Sequence, residues 1–548
     1  MTLIKEPGTP KETHAVAEAR HLFDVHAYVD DFNAVIDAYG ASVADATLPA
    51  DRNVARSILP PGTAAVRDFS HLAPRVPEFI ADRCVGCMSC VNVCPDTAIL
   101  GIALPESRVA ERIEAFAAAE GASTGAAETA RAHFAATRKY GVVSEKRGLE
   151  PALFGIFVEP VHCKGCAECV QVCTALGYDA LTMVDKVADR PGGPILAQYE
   201  RDMRFFRTLP VTPPEYRNEK SLADLMLGEH AIGYVGGAGS CSGCGEATAI
   251  RMMVAATRQT YGPTGMGIVA STGCNTVFGS TYPYNPYLVP WTNSLFENGP
   301  ADALGIRARW DQAGETSRRL WVIGGDGAMY DIGFQSLSRM IASGADIKVL
   351  VLDTQVYSNT GGQASTASFG GQVTKLSAYG KSLHGRPERR KELGRILMAH
   401  GDVFVAQTTP AHVNHFYKAI LDANSFPGPA VVISYAPCQP EHGIADDASS
   451  QQAKLAVDSR AFPLFVYDPR KGSTIEERLS LQGNPEPKQD WAALPDGTTV
   501  DFLTFARSEG RFAPHFAKDG SPTEEIRATQ DDRLANWRML QELGGMRA

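Results

Sequence analysis

Twelve cysteines fall into three groups of four. Cys84, Cys87, Cys90 and Cys94 form a C-x2-C-x2-C-x3-C run, and Cys163, Cys166, Cys169 and Cys173 form a second run with identical spacing. The short spacing lets three thiolates of one tight loop point inward together. Two such runs in one chain are the ligand pattern of a pair of cubane iron-sulfur clusters, in which the fourth cysteine of each run ligates the cluster begun by the other. The chemistry expected is one-electron transfer. Pro95 follows Cys94 as such a run expects, whereas Thr174 follows Cys173, a departure that removes no ligand. The competing reading is a pair of zinc sites, which seldom use four cysteines so compactly twice over.

The remaining group, Cys241, Cys244, Cys274 and Cys438, is dispersed. Cys241 and Cys244 sit in GGAGSCSGCGEAT, a glycine-rich turn opening a helix; Cys274 lies in STGCNT and Cys438 in SYAPCQPE, each after an apolar strand. Four cysteines at strand ends of one sheet predict a third cluster. The alternative is four buried, inert thiols. A third constellation is GGDGAMYDIGFQSL followed by DTQVYSNTGGQAST. A strand ends at Gly324, Asp326 stands between Gly325 and Gly327, and a helix is expected from near Asp331. Amides at a helix N-terminus can meet a phosphate while a carboxylate holds a magnesium ion bridging diphosphate oxygens. Thr354 and Asn359, beyond the next strand, complete an oxygen cage. Taken alone, G-D-G is only a tight turn.

These motifs need rigid elements around them. At 548 residues the chain exceeds what one core usually organises. Residues 1–76 read as an N-terminal helical arm and linker, with THAVAEARHLFDVHAYVDDFNAVIDAYG as the helical part. Residues 77–190 read as a small α+β bacterial-ferredoxin-like domain holding two clusters, with an alanine-rich helical hairpin inserted between the runs; such a loop adds only slowly to closure entropy. From 191 to 470 apolar strands (GIVAST, RLWVIGG, IKVLVLDT, DVFVAQ, PAVVISY) alternate with amphipathic helices, the mark of an α/β doubly wound parallel sheet. Ligands of such sheets sit beyond the carboxyl ends of the strands. Residues 471–548 read as a C-terminal extension ending in a helix, DDRLANWRMLQEL.

Composition narrows the function classes. Hydrophobic residues make up 44% and charged residues 21%, an ordinary globular balance. No run of about eighteen apolar residues spells a membrane span, and the N-terminus lacks a secretory h-region. A cytoplasmic home is expected, where cysteines are more often metal ligands than disulfides. The net charge of -10, without a long basic run, disfavours nucleic acid as a partner.

Together these residues resemble the C-terminal half of the pyruvate:ferredoxin (flavodoxin) oxidoreductase family, 2-oxoacid oxidoreductases that combine thiamine diphosphate with cubane clusters. The resemblance runs from about residue 75 onward and is carried by VPEFIADRCVGCMSCVNVCP, CSGCGE, GCNTVFGSTYP with WTNSLFEN, GGDGAMYDIGF, VYSNTGGQAST and FPLFVYDP. It implies that Asp326, Thr354 and the backbone carbonyl of Val356 bind Mg2+, and that Gly325 and Gly327 flank the diphosphate. Asn359 would lie near the thiazolium and the substrate as the catalytic residue. Cys241, Cys244, Cys274 and Cys438 would ligate the cluster nearest the cofactor. Glu246 and Asn275 would line the cofactor pocket, although Glu246 reads equally as a carboxylate favoured by a helix dipole. The implied reaction is oxidative decarboxylation of a 2-oxoacid, pyruvate first and 2-oxoglutarate as the alternative. Coenzyme A takes the acyl group, and electrons pass through three 4Fe-4S clusters to ferredoxin or flavodoxin; the organic chemistry belongs to the cofactor.

In this family the glutamate that activates the aminopyrimidine and the groups that grip the 2-oxoacid lie in an N-terminal pyrimidine-binding region. Nothing here resembles that region, although the chain begins at Met1. The expectation is therefore a second subunit and a heterotetramer, with this chain catalytic only in that assembly. A pure electron-bridging subunit with a structural thiamine domain, and a non-oxidative thiamine decarboxylase, are the rivals. An intact Asp326, Thr354 and Asn359 set argues against the first, and twelve cysteines argue against the second.

Overall fold

The computed structural model describes residues 25–48, 59–121, 125–190, 193–218, 220–494 and 496–547. Of the N-terminal arm, Val25–Gly40 is a helix; the earlier part of that helical reading, and residues 49–58, lie outside the described residues.

The larger unit is built on an eight-stranded sheet. From one edge its strands are Leu479–Ser480, Phe465–Tyr467, Phe404–Thr408, Ala430–Tyr435, Ile347–Asp353, Arg319–Gly325, Met266–Ser271 and Trp291–Ser294. The last six run parallel, and the first two join antiparallel at one edge. The parallel strands are almost uninterrupted apolar runs because both faces are covered. Successive side chains alternate between two cores: Val322, Val349, Val351, Val405 and Val431 enter one. Trp321, Ile323, Leu350, Leu352 and Val432 enter the other.

Helices Gly245–Tyr261 and Val413–Ser425 cover the second face. Phe334–Ala342 covers the first. The C-terminal helix Glu524–Leu543 also packs there, sending Ile526, Trp537 and Leu540 into the same core. The turn after Gly325 is a single π-helical turn, Gly327–Asp331, and the regular helix starts at Phe334 rather than near Asp331.

The smaller unit contains both cysteine runs. Arg75–Phe79 pairs antiparallel with Leu181–Asp185, so the strand before the first run is tied to the strand after the second. Between the runs lie helices Glu106–Glu120 and Ala126–Ala132. The same interval also holds a three-stranded antiparallel sheet, ordered Ile99–Pro105, Ala152–Val158, Phe134–Ala136. The interval is thus a helix-covered sheet rather than helices alone, because strand Ala152–Val158 sends Phe154 and Ile156 toward the cysteines and Phe157 toward the helices.

Candidate functional site

The two runs adopt the same local backbone. Gly86 and Gly165, each just before the second cysteine, have φ of +73° and +69°. A side chain there would be strained, and a Cβ would also lie 2.7 Å from Tyr140 or 2.8 Å from Ala73. The residues after the second cysteines, Met88 and Ala167, are left-handed as well, and each opens a short helix: Ser89–Val93 carries Cys90 and ends just before Cys94, and Glu168–Ala175 carries Cys169 and Cys173. The resulting grouping crosses between the runs. Cys84, Cys87 and Cys90 line one void with Cys173. Cys163, Cys166 and Cys169 line another with Cys94.

Each void is walled by apolar side chains and backbone, Phe79, Phe154 and Ile156 around the first, Pro77, Ala98 and Ile99 around the second. Burial, with neighbouring thiols adding to it, pushes the Cys84 thiol up to about 11. Cys163 is pushed up to about 12, again mainly by burial. Cys90, Cys166 and Cys169 are raised well above the usual thiol value, first by burial and then by the charges of the thiols around them. Metal binding to such thiols must release protons. Among the described residues no three His, Cys, Asp or Glu side chains close on one point as ligands of a single metal ion; the cysteines surround space instead.

The dispersed cysteines come from three elements. Cys244 caps helix Gly245–Tyr261, Cys274 begins helix Cys274–Gly279 after strand Met266–Ser271, and Cys438 follows strand Ala430–Tyr435. They meet: burial raises the Cys274 thiol, and Glu246, Cys244, Cys438 and Cys241 each raise it further through their charge. Glu246 is 5% exposed, its Oε2 has no hydrogen-bond partner, and burial alone pushes its carboxyl up to about 8. Asn275 is fully buried; its Nδ2 donates to the Ser271 carbonyl at 3.3 Å while its Oδ1 has no partner. Each of these buried oxygens lacks the protein partner that buried polar groups ordinarily have.

Strands Arg319–Gly325 and Ile347–Asp353 lie between the strands that deliver Cys274 and Cys438. Their carboxyl ends carry the oxygen cage. Asp326 is buried at 2% exposure, Oδ1 accepting the Thr354 amide at 3.1 Å and Oδ2 the Ser365 hydroxyl at 2.7 Å. Thr354 Oγ1 lies 3.0 Å from the Val356 carbonyl and 2.8 Å from Ser358 Oγ. Burial raises the Asp326 carboxyl well above its usual range, with Asp353 adding to it; a bound cation would reverse that preference. Asp326, Thr354 and Val356 are thus brought together with hard oxygens of the kind Mg2+ takes. Gly325 and Gly327 flank Asp326, and Asn359 stands exposed on the loop that follows Val356. Ser358 also reaches Cys438 by a hydrogen bond, which joins the oxygen cage to the dispersed cysteines.

Sequence reasoning passed over the groups that hold this loop. His442 Nε2 lies 2.7 Å from the Thr354 carbonyl. Arg511 Nη2 donates to Gln355 Oε1 at 3.1 Å, and the Asp353–Arg390 pair is buried beneath it. Asp353, Gln355 and Ser365 lay inside the stretch already singled out, DTQVYSNTGGQAST, but no role was read for them, whereas His442, Arg511 and Arg390 lay outside the motifs.

Comparison with known proteins agrees in two places. The family described as "Thiamine pyrophosphate enzyme, C-terminal TPP binding domain" matches residues 271–434. The family described as "4Fe-4S binding domain" matches residues 77–100. The chain is similar to the pyruvate:ferredoxin oxidoreductase of Moorella thermoacetica, 29% identical over 502 residues, covering 77% of this chain and 39% of that protein. It is similar to the pyruvate-flavodoxin oxidoreductase of Nostoc, 28% identical, covering 98% of this chain and 47% of that protein. The chain therefore spans less than half the length of these relatives. Among solved structures, a 2-oxoglutarate:ferredoxin oxidoreductase from Magnetococcus marinus matches at a TM-score of 0.32 and 22% identity, over 37% of this chain and 64% of that one.

Proposed function

We propose, from the premise that this chain is a homologue of the C-terminal part of pyruvate:ferredoxin and pyruvate-flavodoxin oxidoreductases, that it is the thiamine diphosphate- and cluster-bearing component of a 2-oxoacid:acceptor oxidoreductase. Pyruvate is the substrate favoured, coenzyme A the acyl acceptor, and ferredoxin or flavodoxin the electron acceptor. The observation that carries this reading is the adjacency within one chain of the Asp326–Thr354–Val356 oxygen cage and the four dispersed cysteines.

Asp326, Thr354 and the Val356 carbonyl would hold Mg2+, and the amides after Gly325 would face the diphosphate. Bound thiamine diphosphate supplies the electron sink for decarboxylation, and 4Fe-4S clusters supply one-electron carriers. Cys241, Cys244, Cys274 and Cys438 would ligate the cluster nearest the cofactor. The two crossed cysteine sets would ligate the other two. Glu246 and Asn275 would line the cofactor pocket with their unpaired oxygens, and Asn359, exposed on the loop after Val356, would lie near the thiazolium and the substrate.

A second subunit, in a heterotetramer, would supply the pyrimidine-binding region. Its docking surface would be the rim formed by Val277, Leu295 and Ile332, exposed at 51%, 58% and 55%, beyond the carboxyl ends of three neighbouring strands. Among the described residues no helix is long and apolar enough to cross a membrane, and a cytoplasmic setting suits oxygen-sensitive clusters.

The test is anaerobic purification of the chain with its copurifying partner, followed by assay of pyruvate and other 2-oxoacids with coenzyme A and a viologen dye. Viologen reduction dependent on both 2-oxoacid and coenzyme A is expected, with iron near twelve atoms per chain, as three cubane clusters require. Zinc in place of iron, or decarboxylation without dye reduction, would overturn the proposal.

A further inference from the structure

Resting on that reading, we infer that Arg251 raises the reduction potential of the cluster held by Cys94, Cys163, Cys166 and Cys169, and so makes it the acceptor for electrons leaving the dispersed-cysteine site. Helix Gly245–Tyr261 begins at Cys244, among the dispersed cysteines, and carries Arg251 two turns further on. Arg251 is 3% exposed and crosses into the smaller unit. Its Nη1 lies 2.7 Å from the carbonyl of Val91, 3.3 Å from that of Asn92 and 2.9 Å from that of Cys94. Thr248, one turn earlier, places Oγ1 3.2 Å from the Cys244 carbonyl and 3.4 Å from that of Val93. One helix therefore joins the two cysteine sites directly.

The charges around the crossed sets are unequal. Beside the Cys84 set, Lys139 is paired with Asp224, whose carboxylate also accepts from Tyr140 Oη at 3.0 Å. Beside the Cys94 set, Lys164 is paired with Asp96 at 2.7 Å, and Lys186 faces both Cys163 and Asp68. Among the described residues no carboxylate pairs with Arg251 within 4.0 Å. A guanidinium stays protonated in a protein. Accepting one electron adds one negative charge to the cluster, and a fixed cation in a poorly screened interior stabilises that reduced form more than the oxidised one.

The experiment is an anaerobic redox titration of the full chain, followed by electron paramagnetic resonance, on the parent, R251Q, R251K and C94S. C94S identifies the cluster by the signal it removes. In R251Q that one potential is expected to move to a more negative value while the others stay and iron is retained; in R251K, which keeps the charge, it should stay near the parent. Unmoved potentials in R251Q, a shift in R251K as large as in R251Q, or loss of iron from both variants would overturn the inference. Should R251Q alone shed the cluster, R251K decides: a potential held at the parent value supports the inference and a fall overturns it. A parent chain without cluster signals would instead sink the functional reading itself.

Discussion

The Ser365 hydroxyl donates to Oδ2 of Asp326 at 2.7 Å across 39 residues of chain, while the Thr354 amide holds Oδ1 at 3.1 Å. The carboxylate is thereby fixed between the two loops at the ends of neighbouring strands. A hydrogen bond to a charged group contributes about 1.5–3 kcal/mol. S365A is accordingly expected to weaken binding of Mg2+ and thiamine diphosphate by ~10- to ~150-fold, and D326N to abolish it. Titration of the cofactor-depleted chain, followed by fluorescence or calorimetry, checks this. Parent-like binding by D326N would remove Asp326 from the site.

The crossing of Cys94 and Cys173 between the sets gives a count that no uncrossed arrangement gives. C94S with C163S alters one set only and should lower iron by about four atoms per chain; C94S with C84S alters both and should lower it by about eight. The reverse ordering of the two double variants would mean that each run holds its own four ligands.

Beneath the oxygen cage, Arg390 and Asp353 are paired at 2% and 0% side-chain exposure. Arg533 pairs with Glu392 at 2.6 Å, tying the same region to the C-terminal helix. Removing one partner leaves a buried charge uncompensated, which costs about 3–5 kcal/mol. R390M should therefore melt well below the parent and lose cofactor affinity with it, since Asp353 adjoins Thr354. A thermal melt of the two chains, with and without added cofactor, reads both effects.

The elements legible in the sequence were those whose signal is local. Strands such as Ile347–Asp353 are seven buried residues in a row, and a run like that between amphipathic helices has few other uses in a soluble fold. The cysteine runs are equally local, because spacing alone forces three thiols into one loop. What stayed hidden depends on partners far along the chain. Ser365 reads as one polar residue of a loop until the fold sets it against Asp326. Arg251 reads as a charge on a helix until its neighbours prove to be the carbonyls around Cys94. Strand Phe465–Tyr467 has three residues and pairs antiparallel with Phe404–Thr408, too short to mark itself by periodicity. In the interval between the runs, an alanine-rich composition announces helices and conceals the sheet they cover.

His412 and His415, around the start of helix Val413–Ser425, are both pushed down to about 4, mainly by burial. Between the ordinary value of 6.5 and that level, the unfolded chain binds protons that the folded chain refuses. Stability is then expected to fall as pH drops through this window and to be insensitive to these groups above it. The ceiling is about 1.4 kcal/mol per pH unit for each histidine. The double variant H412Q/H415Q should flatten the dependence, and urea midpoints at several pH values between 7 and 5 would show it. An unchanged slope would mean that other groups set the acid limit.

If the rim of Val277, Leu295 and Ile332 is the docking surface proposed above, substitutions there separate assembly from folding. These side chains are more than half exposed, so V277K and I332K remove little from the core; surface changes of this kind usually stay within about 0.5 kcal/mol. Against an apolar partner surface the same lysine must be stripped of water without a counter-charge, which weakens association strongly. Both variants are expected to keep parent-like iron content and melting while failing to copurify with the partner, and the dye-reducing activity should fall with the fraction assembled. Retention of the complex in both variants would place the second subunit on another face of the chain.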